Sequence, residues 1–565
     1  MARSIAGRLP TTIVTRPLGY LGRRIKVGSL GPLSDVPFNV KILVEAGVIR
    51  PVRPDRLALM LRVLARWGAS PAAGIAAAAI NRPDAAMIMD EGGELTFEEL
   101  HRRSNSLARG LAGEGIREGD GVAIMCRNHH VFIEATLAVS KLGANGLFMN
   151  TAFAGPQLAG VVERERPVAL IYDQEFAGLL EQAAEAGEEI GLRRFVAWTG
   201  GEATTDTTLD DLIEANDAGD LDPPTEPSRF VILTSGTTGA PKGAQRAQPD
   251  TLSPLAAMFS KMPLRSEERT MIAAPLFHSW GFAHFTLGLA LGSTYVLRRR
   301  FDPEETLRAT EESGATALVV VPVMMQRILE LPPETLTRYE LPNLRVTAAS
   351  GSALPGELAI RWMDTFGDNL YNLYGSTEVA WATIATPEDL RAAPGTAGRP
   401  PRGTAVRVVD REGNDVEAGR TGRVFVGNEM AFEGYTGGGA KDMLDGLLSS
   451  GDVGHFDQEG RLFIDGRDDE MIVSGGENVF PREVEDLLSD HGDVKEVAVI
   501  GVDDEEFGQR LKAFVVLNEG AELTDADLKS YVRSNLAGYK VPRDVAFLDS
   551  LPRNATGKIL KRELA

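Results

Sequence analysis

The sequence predicts an α/β protein with a largely parallel sheet, a β subdomain behind it and a small α+β module at the end. Three observations carry this prediction. Short apolar runs alternate with amphipathic helical segments as far as "NLRVTAASGSALP"; Gly-punctuated β texture takes over from about residue 400; and the last hundred residues read β-α-β-β-α. Strands alternating with helices make a sheet whose neighbours run parallel. A chain of 565 residues also exceeds what one hydrophobic core serves. The expected divisions are a basic N-terminal extension (1–80), a large α/β domain (81–465) of stacked α/β subdomains with its β subdomain at about 400–465, and a C-terminal α+β domain (466–565).

Along the chain, "PDRLALMLRVLARWG" (54–68) has helical apolar spacing. "LTFEELHRRSNSLARGLAGEGI" (95–116) opens with Thr96 and Glu99 in capping-box spacing and continues as an amphipathic helix. "GDGVAIMC" reads as a strand, "HVFIEATLAVSKLGA" as a helix, and "PVALIYD" and "RRFVAWT" as short buried strands. "ALVVVPVMM" (317–325) reads as a buried strand, far short of the roughly 18 apolar residues a membrane-spanning helix needs. "TAVRVVDREGNDVEAGRTGRVFVG" supplies the β subdomain, and the Gly-flanked "DGRDDE" (465–470) the linker.

The net charge of −21 excludes general nucleic-acid binding, which needs a basic face. The single cysteine, Cys126, excludes an intrachain disulfide and a cysteine-clustered zinc site. With no secretory signal at the start, the expected setting is cytoplasmic. Charge is uneven: residues 1–56 hold ten Lys and Arg against Asp35, Glu45 and Asp55, a net of +7. Such an arm packs on the acidic body or touches anionic membrane peripherally. The first reading is preferred, because amphipathic periodicity is poor there.

"RFVILTSGTTGAPKGA" sends a strand into a loop of small and polar residues. Gly236, Gly239 and Gly243 allow close backbone approach, Ser235, Thr237 and Thr238 add hydroxyls, and Lys242 adds a point charge: an anion nest. It is not a Walker A loop, because Lys242 lies between Pro241 and Gly243 with no Ser or Thr after it.

Four further motifs follow in order: "LYGSTE" (373–378), "GDVG" (451–454), "DGRDDEMIVSGGENVFPREVE" (465–485) and "PRNATGKILKREL" (552–564). Together the five resemble the signatures of the adenylate-forming (AMP-binding) superfamily, and the fatty acyl-CoA synthetase type within it. The resemblance implies ATP, Mg²⁺ and CoA, an acyl-adenylate intermediate, and a C-terminal domain that rotates between half-reactions about Asp469. It places the β- and γ-phosphates on Thr234, Ser235, Gly236, Thr237, Thr238, Gly239 and Lys242. Adenine falls to Tyr374 and Gly375, with Asn372 or the "SGS" backbone around Gly351 at its amino edge, and ribose to Asp452 and Arg467. Mg²⁺ goes to Glu378 assisted by Thr234, and the α-phosphate to Thr377. Lys558 bridges carboxylate and α-phosphate, an electrostatic role. Gly475, Gly476 and Glu477 would line the thiol tunnel, and Tyr539 and Lys540 would meet the CoA nucleotide.

The acid is read from "APLFHSWGFAH" (274–284). Amino-acid-activating relatives carry Asp where His278 stands, so a plain carboxylic acid fits. His278 borders the acyl pocket, with Trp280, Phe282, Val323, Met324 and Gly351 as apolar lining. A medium- or long-chain fatty acid suits such a wall, at about 0.8 kcal/mol per buried CH₂. The alternatives are an aryl-acid CoA ligase and an acyl-AMP ligase that loads a carrier protein. No carrier motif follows Lys558, so free CoA is the expected acceptor, on a monomer or homodimer.

Overall fold

The structure is a computed structural model describing residues 35–180, 191–234, 242–246, 251–430, 432–435, 441–470, 472–474, 477–504, 508–554 and 557–564. The first sheet has seven strands. Five run parallel: β3 (Gly121–Met125), β4 (Asn145–Phe148), β5 (Ala169–Asp173), β6 (Arg193–Trp198) and β7 (Phe230–Thr234). The antiparallel β8 (Lys242–Arg246) and β17 (Phe432–Tyr435) extend the β7 edge. Successive side chains point to opposite faces, so Val122 and Ile124 join the main core while Ala123 and Met125 join a second one with Leu158 and Val162.

Helix α4 (Phe97–Gly113) begins at the predicted capping box, with Thr96 and Glu99 exchanging hydrogen bonds. It packs against α5 (His130–Leu142) and against β1 (Ala86–Asp90) and β2 (Gly93–Thr96) of the second sheet. The α5 helix is buried from Val131 to Lys141, because β3, β4 and β6 cover one side and α4 with α3 (Pro71–Asn81) the other. This helical layer joins the two sheets into the stacked α/β body that the alternation predicts.

The second sheet runs β14 (Thr383–Ala385), β13 (Leu370–Tyr374), β12 (Val346–Ala349), β11 (Ala317–Val320), β9 (Arg269–Ile272), β10 (Thr294–Leu297), β1, β2. It is parallel from β13 to β1 and antiparallel at both edges. Here "ALVVVPVMM" departs from the expected strand. Only Ala317–Val320 is extended, and Pro322 opens a helix (Pro322–Leu329). Proline has the helical φ and lacks only an N–H that the first turn leaves unpaired.

At the N-terminal side, α1 (Val36–Glu45) packs on the helix Ser253–Lys261. Arg50 meets Glu267 at 2.5 Å and Arg402 meets Asp35 at 2.7 Å, so this part of the arm is docked on the body. The membrane reading rests mostly on residues 1–34, outside the described residues. Among the described residues no helix is long and apolar enough to cross a membrane. Helix α2 (Pro54–Trp67) forms as its periodicity predicts, yet none of its side chains is buried.

The β subdomain pairs β15 (Ala405–Val409), β16 (Gly422–Gly427), β19 (Leu447–Phe456) and β20 (Leu462–Arg467) antiparallel. The C-terminal module has its own core, in which Val484, Val497, Leu511 and Val532 pack two helices on a sheet centred on β23 (Val494–Asp504) and β24 (Gly508–Leu517).

Candidate active site

In a parallel sheet the carboxyl ends of the strands share one edge, and ligands bind in the crevice outside it. Four strands of the second sheet release chain there: β9 into Ala274–His278, β11 into Val321–Val323, β12 into Ser350–Ser352 and β13 into Gly375–Glu378. All four segments line one cavity of about 2610 Å³, which also takes in Asp452 and Arg467 from the β subdomain and Lys558 from the C-terminal domain.

Asp452 and Arg467 face each other as register partners in β19 and β20. Arg467 Nη1 donates to Asp452 Oδ1 at 3.0 Å, and Tyr374 OH donates to Oδ2 at 2.5 Å. Burial, and then the Asp452 charge, push the Tyr374 phenol well up, so it stays a proton donor. Beside it, Asn372 lines the cavity and its Oδ1 is buried without a hydrogen-bond partner among the described residues, an acceptor that a bound donor group would satisfy. Gly351 holds φ +94°, a left-handed conformation that glycine supplies at little cost.

Glu378 accepts from Ser376 Oγ and from Tyr435 OH, both at 2.7 Å. Burial opposes its ionisation, but the Lys441 charge and these two hydroxyls outweigh it and hold the carboxyl below its usual range. Such a hard oxygen fits Mg²⁺, since a carboxylate keeps acceptor capacity beyond two hydrogen bonds. Bound there, the ion would neutralise phosphate charge. Thr377 Oγ1 lies 3.4 Å from Ser279 Oγ. Thr234 and Lys242 are register partners at the neck of the β7–β8 hairpin. Ser235, Gly236, Thr237, Thr238 and Gly239 lie outside the described residues.

Lys558 is exposed at the cavity, and its backbone N–H donates to Asn554 Oδ1 at 2.8 Å. Gly557 packs so closely that an added Cβ would sit 2.1 Å from Val323 Cγ1. The lysine loop of one domain thus leans on the acyl-pocket wall of the other.

Helix α6 (Ser279–Leu291) carries Trp280 and Phe282 into the cavity. The Trp280 indole donates to the Ala348 carbonyl at 3.3 Å, and Phe282 packs on Phe148 and Phe230. His278 precedes α6, with Nε2 buried and unpartnered among the described residues. Burial pushes its imidazole down to about 4, which suits a neutral wall better than a proton carrier at pH 7. Met324 corrects the expected lining. On the helix Pro322–Leu329, Val323 and Gln326 face the cavity three residues apart, which turns Met324 and Met325 into the core.

Of the residues expected at CoA, Tyr539 and Lys540 do not line this cavity. Lys540 pairs with Glu483 at 2.5 Å, and Tyr539 is exposed beside it. Glu477 backbone pairs with Ser474 in a β-hairpin whose Gly475 and Gly476 lie outside the described residues. Asp469 lies in the single turn Asp468–Glu470 after β20. Sequence reading missed Ser279, Ser376, Tyr435 and Lys441. Tyr435 reaches Glu378 across 57 residues, and no local spacing signals that contact.

The model of the AMP-binding enzyme family matches residues 75–436, and that of the AMP-binding enzyme C-terminal domain matches 483–558. An indoleacetate–CoA ligase of Aromatoleum aromaticum is 32% identical over 478 residues, 83% of this chain and 92% of the relative. A fatty acid–[acyl-carrier-protein] ligase, ScoC, of Streptomyces coeruleorubidus is 30% identical, covering 86% and 93%. The crystal structure of the anthranilate CoA ligase AuaEII with anthranoyl-AMP superposes at a TM-score of 0.77 with 26% identity, over 88% of this chain and 96% of that one. Fold, cavity and both family matches agree: the chain belongs to the AMP-binding enzyme family, as an adenylate-forming acid–thiol ligase that uses ATP and CoA.

Proposed function

We propose that this protein joins an apolar carboxylic acid to CoA through an acyl-adenylate, with aromatic acids as the first class. One observation carries the reading: the cavity that holds Tyr374, Asp452 and Arg467 continues past Thr377 and Lys558 into walls formed by Trp280, Phe282 and Val323. ATP would lie on the polar part, with its α-phosphate turned to the acid carboxylate on the apolar part. Attack of that carboxylate brings two anions together, so the Lys558 ammonium and Thr377 hydroxyl would stabilise the charge that develops. Mg²⁺ on Glu378 would serve the departing pyrophosphate.

The relatives' names move the acid away from the fatty chain that the sequence favoured. Indoleacetate, ferulate and 2-succinylbenzoate are the acids of CoA-forming relatives, and a fatty acid is that of the carrier-loading one. A fatty acid remains the second reading, supported by the apolar side chains of Trp280, Phe282, Val323 and Leu287 in the continuation of the cavity. The test is a panel of aromatic and fatty acids with ATP, Mg²⁺ and CoA, scored for AMP and acyl-CoA. An apolar acid should give both products in equal amounts. AMP without thioester, until a carrier protein replaces CoA, would refute the CoA assignment.

A further inference from the structure

Beyond the acid-binding end, the cavity runs on along α6. Ser279, Ala283, Thr286 and Ala290 all line it, which is one helical face. From His278 to Ala290 the helix rises about 18 Å. An extended chain advances 3.3–3.6 Å for every three skeletal bonds, so this length matches about fifteen bonds. Toward the far end stands α2, which packs on α3 as α3 packs on α6, and its Leu57, Met60, Leu61 and Leu64 line the cavity at i, i+3, i+4 and i+7. None of these apolar side chains is fully buried in the protein itself: Met60 and Leu61 are half-buried, and Leu57 is 42% and Leu64 40% exposed. The match to the family model starts only at residue 75, after α2. This wall is therefore an addition to the matched region.

We propose that α2 is the distal wall of the acid channel, and that it selects acids with a long apolar tail, whether that tail follows a ring or a chain. The inference rests on the reading of the cavity as the acid site. Its occupant is the substrate tail, because the chamber under α2 is continuous with the place where the carboxylate would react. Each methylene buried there would tighten binding by up to roughly fourfold.

The test uses the full chain and para-alkylbenzoates from methyl to dodecyl, with ATP, Mg²⁺ and CoA. The apparent KM should fall with each added CH₂ until the tail reaches α2. Leu61→Glu should raise the dodecyl KM at least tenfold relative to the methyl one, and Met60→Ala, a truncation on a half-buried position, should do so more weakly. Leu59→Glu serves as control: Leu59 is 49% exposed and lies off the cavity face, so it should leave the series unchanged. A KM indifferent to tail length would overturn the proposal and leave residues 1–34 or solvent as the occupant. Equal losses for methyl and dodecyl acids in Leu61→Glu and Met60→Ala would overturn it as well, by making α2 merely structural. Failure of the acid-site reading looks different, because then no benzoate of any length yields AMP.

Discussion

Lys558 sits seven residues from the end of the sequence, in a position that would ordinarily be solvated and dispensable, yet it lines the same cavity as Asp452 and Thr377. If its role is to neutralise charge as the adenylate forms, Lys558→Ala should cut adenylation by roughly 10²–10³-fold, the usual loss for one preorganised donor. Thioester formation from supplied acyl-adenylate should survive. Equal loss of both half-reactions, measured separately, would remove the lysine from that role. The buried histidines lead to a second expectation. Burial holds His278 at about 4 and His284 at about 3, below the ordinary 6.5. Between those values the unfolded chain binds protons that the folded one refuses, so stability rises with pH across the window and falls on acidification. Moving from pH 7 to pH 5 should cost on the order of 2 kcal/mol for each histidine. Urea midpoints that stay level between the two pH values would contradict this. At this scale the sequence was informative wherever a motif fixed a residue by its neighbours, as with Asp452 in "GDVG". It was silent on Tyr435 and Lys441, which meet Glu378 only in the folded chain, Tyr435 from β17 once that strand pairs with β8.

Elements were legible where local chemistry decides them. The Thr96–Glu99 pair marks the start of α4, and short continuous apolar runs mark β3 and β5, which are buried on both faces. "ALVVVPVMM" was misread because hydrophobicity alone does not separate a buried strand from a buried helix turn, and Pro322 was the signal to break it. The same segment explains why Met324 lies in the core while Val323 faces the cavity. Gly557 ties that element to the lysine loop. It holds φ +78°, and an added Cβ would meet Val323 Cγ1 at 2.1 Å. Gly557→Ala should therefore displace the loop and lower adenylation at least tenfold, with little change in overall stability, since the loop lies outside both main cores. Adenylation kinetics beside a melting curve check this; unchanged adenylation would mean that the contact does not position Lys558.

On the scale of the whole molecule, two stacked sheets and a β subdomain present their functional edges to one crevice, and the C-terminal module adds Lys558 and neighbouring residues to its lining. Alternating strands and helices were enough to foresee the stacked body, because each element announces its own periodicity. That α2 sits over the same cavity without being buried was not legible, since an amphipathic helix does not reveal what its apolar face will meet. The central claim is chemical: ATP is attacked at its α-phosphate by an apolar acid, before any thiol takes part. Exchange of labelled pyrophosphate into ATP tests this step directly. The account predicts exchange that requires Mg²⁺ and an apolar acid, proceeds without CoA, and is lost in Lys558→Ala. Exchange that ignores the acid, or cleavage of ATP to ADP and phosphate in its place, would contradict it.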